Sequence, residues 1–329
     1  MWRKFLLSLL FGLLVLTVLA LVGDAPNVGA ALRRFPLGYV PAVLALTLWN
    51  YALRFGKWHL YLRTLRILIA FADSLGIFLC GLSMAITPGK AGELLKSVLL
   101  RRRVGTPIAV SAPVILAERL TDGLAMLGLA ATGLILYQQA VRPMLALLVV
   151  FTAAIVGLQL PAVRDRVLPW LQGHPRLAHR AESIGRLHAS ARLLLSPPLL
   201  LAAVAIGLLS WSGECLAFYL VLHGLGFTGG WTLLVQAAFV LAVSTLVGSA
   251  TLLPGGLGTA EGSAAALLIA VTHATLSEAV AATLIIRLCT LWFGVAVGCA
   301  ALLVYRRRFD LRWSAVSGDT SDTKSGHVV

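Results

Sequence analysis

A chain of 329 residues that is 59% hydrophobic, with a mean hydropathy of +0.91, carries too much apolar surface for a water-soluble core and reads as an integral membrane protein. Its net charge of +14 does not mark a nucleic-acid binder, because the Lys and Arg residues sit almost entirely in short loops beside hydrophobic spans. The four cysteines, Cys80, Cys215, Cys289 and Cys299, lie in hydrophobic segments without pairing or metal-ligand spacing, which argues against a disulfide framework.

Phe5 to Val22 reads as a retained first span rather than a signal peptide, since its apolar run is long and lacks a cleavage site. The Asp24–Gly38 loop follows outside, and Tyr39–Leu53 returns to a cytoplasmic face marked by Arg54, Lys57, Arg63 and Arg66. Ile67–Ile86 enters the membrane, breaks at Pro88-Gly89, and leaves on the same side at Arg101-Arg102-Arg103, which makes a re-entrant hairpin. Pro107–Tyr137 crosses outward and Met144–Leu160 crosses back. The polar stretch 161–196 holds six arginines, and Ile184, Leu187, Ala191 and Leu194 give part of it an amphipathic face for the inner leaflet. Ser196-Pro197-Pro198 caps and opens the next helix, Leu199–Leu222.

Trp231–Leu253 enters from the outer side, breaks at Pro254-Gly255-Gly256 and returns as Ala260–Val271, with no basic residue between His223 and Arg287. Glu278–Tyr305 crosses inward and ends at Arg306-Arg307-Arg308. On this layout 21 of the 27 Lys and Arg lie inside, three outside (Arg33, Arg34, Arg142) and three within the membrane (Lys90, Arg119, Arg287). Three crossings separate the hairpins, so the two copies are inverted. The expected architecture is an all-α polytopic membrane protein with an inverted repeat and two re-entrant helical hairpins entering from opposite sides. One membrane domain covers 1–313, with halves at about 39–137 and 199–305, and the Ser/Asp/Thr/Gly-rich segment 314–329 is a disordered tail.

The breaks are the informative feature, because they repeat. Thr87-Pro88-Gly89-Lys90-Ala91-Gly92-Glu93 leads 26 residues on to Arg119. Leu253-Pro254-Gly255-Gly256-Leu257-Gly258-Thr259-Ala260-Glu261 leads 26 residues on to Arg287. Interrupted hydrophobic segments at corresponding places in two halves point to a transporter's binding site. Arg119 lies about 18 Å into its helix and Arg287 about 14 Å, at 1.5 Å per residue, so both fall near the middle of a roughly 30 Å apolar core. A charge at that depth must face the bundle interior or a wet cavity. Each hairpin's second half begins a helix at mid-depth, and its N–H groups, with Lys90 and the two arginines, make an anion-attracting centre. Glu93, Glu261, Glu118 and Asp122 supply the balancing charge, and Glu214 and Gln236 are further buried polar residues. Purely structural pairing of each Glu with its Arg, to pin the hairpin, is the competing explanation. Trp49, Trp58, Tyr137, Trp231 and Tyr305 read mostly as interfacial anchors, and Gly294 and Gly298 as helix-packing residues.

The strings 88–93, Glu118-Arg119-Leu120-Thr121-Asp122 and 254–261, with the later Arg287, resemble the lysylphosphatidylglycerol synthase transmembrane-region family, also called flippase-like membrane proteins. The resemblance covers roughly residues 5–308 and implies a bacterial inner-membrane protein that moves a lipid or lipid-linked molecule between leaflets. Two departures stand out. The chain has no segment long enough for the aminoacyl-transferase domain of bifunctional members, so lysyl transfer is not implied. Lys96 stands where the resemblance would place an Arg, keeping the charge but not the bidentate geometry.

The leading functional reading is a transporter for an anionic phospholipid or lipid-linked substrate, with both termini cytoplasmic. The alternatives are an intramembrane head-group transferase using Glu118 and Asp122 as acid and base, and a non-catalytic scaffold for a lipid-modifying enzyme partner. No recognisable catalytic nucleophile, nucleotide-binding motif, cofactor signature or zinc spacing is present in the sequence, and oligomeric state is not legible.

Overall fold

Long apolar runs without β-branched alternation form helices that satisfy their own backbone in a lipid phase, and the computed structural model is all-helical across its described residues. Those are residues 2–87, 93–161, 163–174, 178–251, 253–306 and 308–309. Pro88, Gly89, Lys90 and Gly92 of the first break, and the tail 314–329, lie outside them.

α1 (Trp2–Val22) meets α2 (Ala25–Arg34) at a bend of 99°. The expected outer loop is therefore mostly helix, and α2 packs on the later helix Leu276–Arg287. α3 (Val40–Thr64) runs 11 residues past the expected end at Leu53. α4 (Phe71–Leu82) and α5 (Leu95–Val104) flank the first break, with Gly105 closing α5 in the left-handed region at φ 72°. α6 (Ile108–Ala131) and α7 (Val141–Gln159) follow. In the basic linker, α8 (Leu168–Gln172) precedes α9 (Ala178–Leu194). α9 packs on α6, α7 and α3, burying Ala181, His188, Ala191 and Leu194, while Leu187 of the expected apolar face points out.

The second half comprises α10 (Pro197–Gly224), α11 (Trp231–Ala250), α12 (Thr259–Thr272), α13 (Leu276–Arg287) and α14 (Phe293–Tyr305). Ser196 does precede α10, with prolines in its first turn, but its hydroxyl does not cap the helix. Thr275 and Glu278 cap α13 reciprocally. One π turn, Leu288–Trp292, joins α13 to α14.

Among the described residues, five helices are long and apolar enough to cross a bilayer, and the bent α1–α2 pair brings the number to six if it counts as one span. The five are Gln138–Gln159, Pro197–Gly224, Trp231–Ala250, Pro254–Thr272 and Leu276–Tyr305. α3 and α6 are as long, about 36–38 Å at 1.5 Å per residue, but carry interior charges. These two helices, with α10, form the centre: α10 packs along α3, against α6 and against α11. α4 packs on α14, and α11 packs on α6. The first of these contacts depends on Gly298, where an added Cβ would collide with the backbone nitrogen of Ser83.

Candidate functional site

Each repeated Glu meets the Arg that follows it by 26 residues. Arg119 donates from Nε to Glu93 at 3.0 Å and from Nη2 to the other carboxylate oxygen, a two-point contact. Arg287 donates from Nε to Glu261, while its Nη2 donates to the carbonyl of Gly255 at 3.0 Å. Glu261 is fully buried, and its second oxygen accepts from the backbone N–H of Gly258 at 2.7 Å, capping α12. That donor of the expected anion centre is thus occupied from within. The arginines remain more open than their partners: the side chains of Arg119 and Arg287 are 31% and 19% exposed, against 8% and 0% for Glu93 and Glu261.

The second break is built from turns that only glycine adopts freely. Pro254 opens a tight turn, and Gly255, Gly256 and Gly258 have φ of 60°, 67° and 87°. Gly256 also lies against Gly248, where an added Cβ would come within 3.0 Å of its Cα. This turn reaches the residues just before the first break. A Cβ at Gly255 would lie 3.4 Å from the Cα of Ile86 and 3.5 Å from the carbonyl oxygen of Ala85. Residues that lead into the first break and the turn of the second, some 170 residues apart in sequence, therefore lie against each other.

Glu118 and Asp122, adjacent on one face of α6, take separate lysines. Lys96 of α5 donates to Glu118 at 2.5 Å, with its ammonium 4.5 Å from the Trp58 ring centroid. Lys57 of α3 pairs with Asp122, and both residues are buried. Lys57 was expected at the cytoplasmic face and Trp58 at the interface, and both are interior. The aromatic and apolar face Tyr51, Phe55, Trp58 and Leu62 carries α3 past its charged residues and into the core. That helical spacing was the available signal, although the partner of Lys57 lies 65 residues away.

Other residues missed by sequence reasoning surround the same region. Tyr51 donates its hydroxyl to the carbonyl of Thr290 at 2.7 Å, inside the π turn that begins directly after Arg287. Arg54 lies over the Trp211 ring, 5.7 Å from its centroid. Glu214 of α10 is buried and near Arg54, Arg287 and Asp122. Gln236 is elsewhere: it donates to Val271 O at 2.6 Å and to the Tyr137 hydroxyl at 3.1 Å, so Tyr137 is an internal hydrogen-bonding residue as well as an aromatic one. Among the described residues no group of three or more His, Cys, Asp or Glu side chains is placed to hold a metal ion, and the four cysteines are unpaired.

Long apolar helices around a charged interior define a multi-pass α-helical membrane protein. The chain belongs to the lysylphosphatidylglycerol synthase transmembrane-region family, whose model matches residues 5–298. It is also similar to a UPF0104 membrane protein of Methanothermobacter thermautotrophicus (strain Delta H), with 26% identity across 92% of this chain and 96% of that protein.

Proposed function

We propose that the protein moves an anionic phospholipid, or a lipid-linked molecule with an anionic head group, between the leaflets of the bacterial cytoplasmic membrane. The observation that carries this reading is the pair of partly open arginines, each held by a buried glutamate beside broken helices that abut at Gly255 and Ile86. An arginine whose own carboxylate is buried keeps guanidinium N–H groups for a phosphate. Lys90, as a residue of the first break, would add a further positive charge. Glu93 and Glu261 hold the arginines, and Glu118 and Asp122 balance Lys96 and Lys57.

In this reading α3–α6 and α10–α14 are inverted copies, and the two helix pairs around the breaks are re-entrant hairpins. The equivalent packing of α4 on α14 and of α11 on α6 supports this, as does the contact of α3 with α10. Rocking of one half against the other would expose the central site to each leaflet in turn, with both termini on the cytoplasmic side. The alternative of head-group transfer draws no support from Glu118 and Asp122, since each is already neutralised by a lysine.

Lipid analysis of a strain lacking the protein separates the two. Transport predicts an unchanged lipid inventory with an altered leaflet distribution, whereas a missing lipid species would overturn it in favour of a transferase.

A further inference from the structure

Of the six buried carboxylates among the described residues, five are paired: Glu93–Arg119, Glu118–Lys96, Asp122–Lys57, Glu261–Arg287, and Asp73 with Arg103 and Arg308. Two charged side chains are left over, Glu214 on α10 and Arg54 on the adjoining α3. Glu214 is 7% exposed and has no hydrogen bond or ion pair among the described residues, and Arg54 has only the face of Trp211.

The halves differ at this point in a way the sequence records. Arg119-Leu120-Thr121-Asp122 corresponds to Arg287-Leu288-Cys289-Thr290 at the same spacing from the repeated Glu, and Lys57 of α3 and Glu214 of α10 are interior charges on the two packed central helices. In the first half the lysine finds Asp122. In the second half Thr290 stands at the matching place and gives Glu214 no counter-charge. α10 packs against α3, α6, α11 and α13. α3 offers Arg54 and Tyr51, α6 offers Asp122 and α13 offers Arg287, while α11 contains no titratable side chain.

Burying a lone carboxylate is costly and burying a carboxylic acid far less so, so gaining or losing a proton is the low-energy way for such a group to change charge. The positive field of Arg54 and Arg287 is what supports the ionised form. An anionic head group docked at Arg287 offsets part of that field, so anion binding and proton binding assist each other, by the reciprocity that linkage requires.

We infer that Glu214 is a proton-coupling residue: it takes up one proton when an anionic head group binds and releases it when the head group leaves. The proton and the anion then cross together without moving net charge. This rests on the transport reading above.

The test uses the full chain in phosphatidylcholine vesicles with a trace of phosphatidylglycerol labelled on one acyl chain, read by an impermeant quencher. With a gradient of about one pH unit, one-to-one coupling drives the label toward the alkaline leaflet by up to about tenfold. Glu214→Gln should still equilibrate the label but reach the same distribution with and without the gradient, while Glu214→Asp should keep the response. If Glu214→Gln responds to the gradient as the wild type does, the inference is wrong. Wild-type protein that moves the label but ignores the gradient also overturns it, leaving transport intact. Wild-type protein that moves no label overturns the transport reading and this inference with it. The wild-type comparison stands even if a variant does not fold.

Discussion

Arg287 bonds Glu261 through Nε and the carbonyl of Gly255 through Nη2, so one side chain holds both the capped end of α12 and the turn in front of it. A residue with that geometry is tied to the shape of the site as well as to its charge. Arg287→Lys keeps the charge but cannot make both contacts. We expect a loss of about 1.5–3 kcal/mol, the range for hydrogen bonds to charged groups, seen as a lower thermal midpoint in detergent. A midpoint equal to wild type would show that the second contact is not formed.

The structural and functional roles of this pair are separable. Arg287→Ala alone strands Glu261 as a buried charge and should cost about 3–5 kcal/mol. The double variant Glu261→Gln with Arg287→Met leaves no uncompensated charge and should recover most of that loss while remaining unable to move lipid. Recovery of both stability and transport would reduce the pair to a structural pin.

Lys57 and Asp122 predict a different outcome, because they are paired deep in the contact between α3 and α6. Lys57→Met leaves Asp122 alone and should destabilise by about 3–5 kcal/mol, whereas adding Asp122→Leu should restore most of it. Chemical denaturation of the wild type and the two variants measures this directly. Equal stability of the single and double variants would contradict the pairing.

Gly298 is expected to resist the smallest substitution. A Cβ there collides with the backbone of Ser83 at the end of α4, and backbone yields less readily than a side chain. Gly298→Ala should therefore cost about 1–3 kcal/mol as an overpacking change and loosen α4 from α14. Faster hydrogen exchange across 71–87 is the readout, and unchanged exchange would contradict the contact.

Much of this architecture is legible without coordinates, for physical reasons that also mark the limit. Apolar runs of membrane length identify α7, α10 and α11, and the constant spacing of 26 residues identifies both Glu–Arg pairs. Local reading failed at α3, where Arg54 and Lys57 looked like a helix end at a polar interface. A helix is not stopped by charged residues, and burial of Lys57 depends on an aspartate 65 residues away that no local pattern reveals. Lys96 and Trp58 were misplaced for the same reason, since the ammonium sits over the indole only after α3 and α5 converge. The approach of the second break to Ala85 and Ile86 follows from three-dimensional closure alone. Spacing can say that two sites repeat, but not that Gly255 lies against Ile86.

The central claim is movement of an anionic lipid past Arg119 and Arg287, and its most direct test is translocation of labelled phosphatidylglycerol in proteoliposomes. Wild-type protein should carry the label between leaflets well above the rate in protein-free vesicles, and Arg119→Ala and Arg287→Ala, where they fold, should fall to that background. Translocation by both folded variants at the wild-type rate would contradict the account.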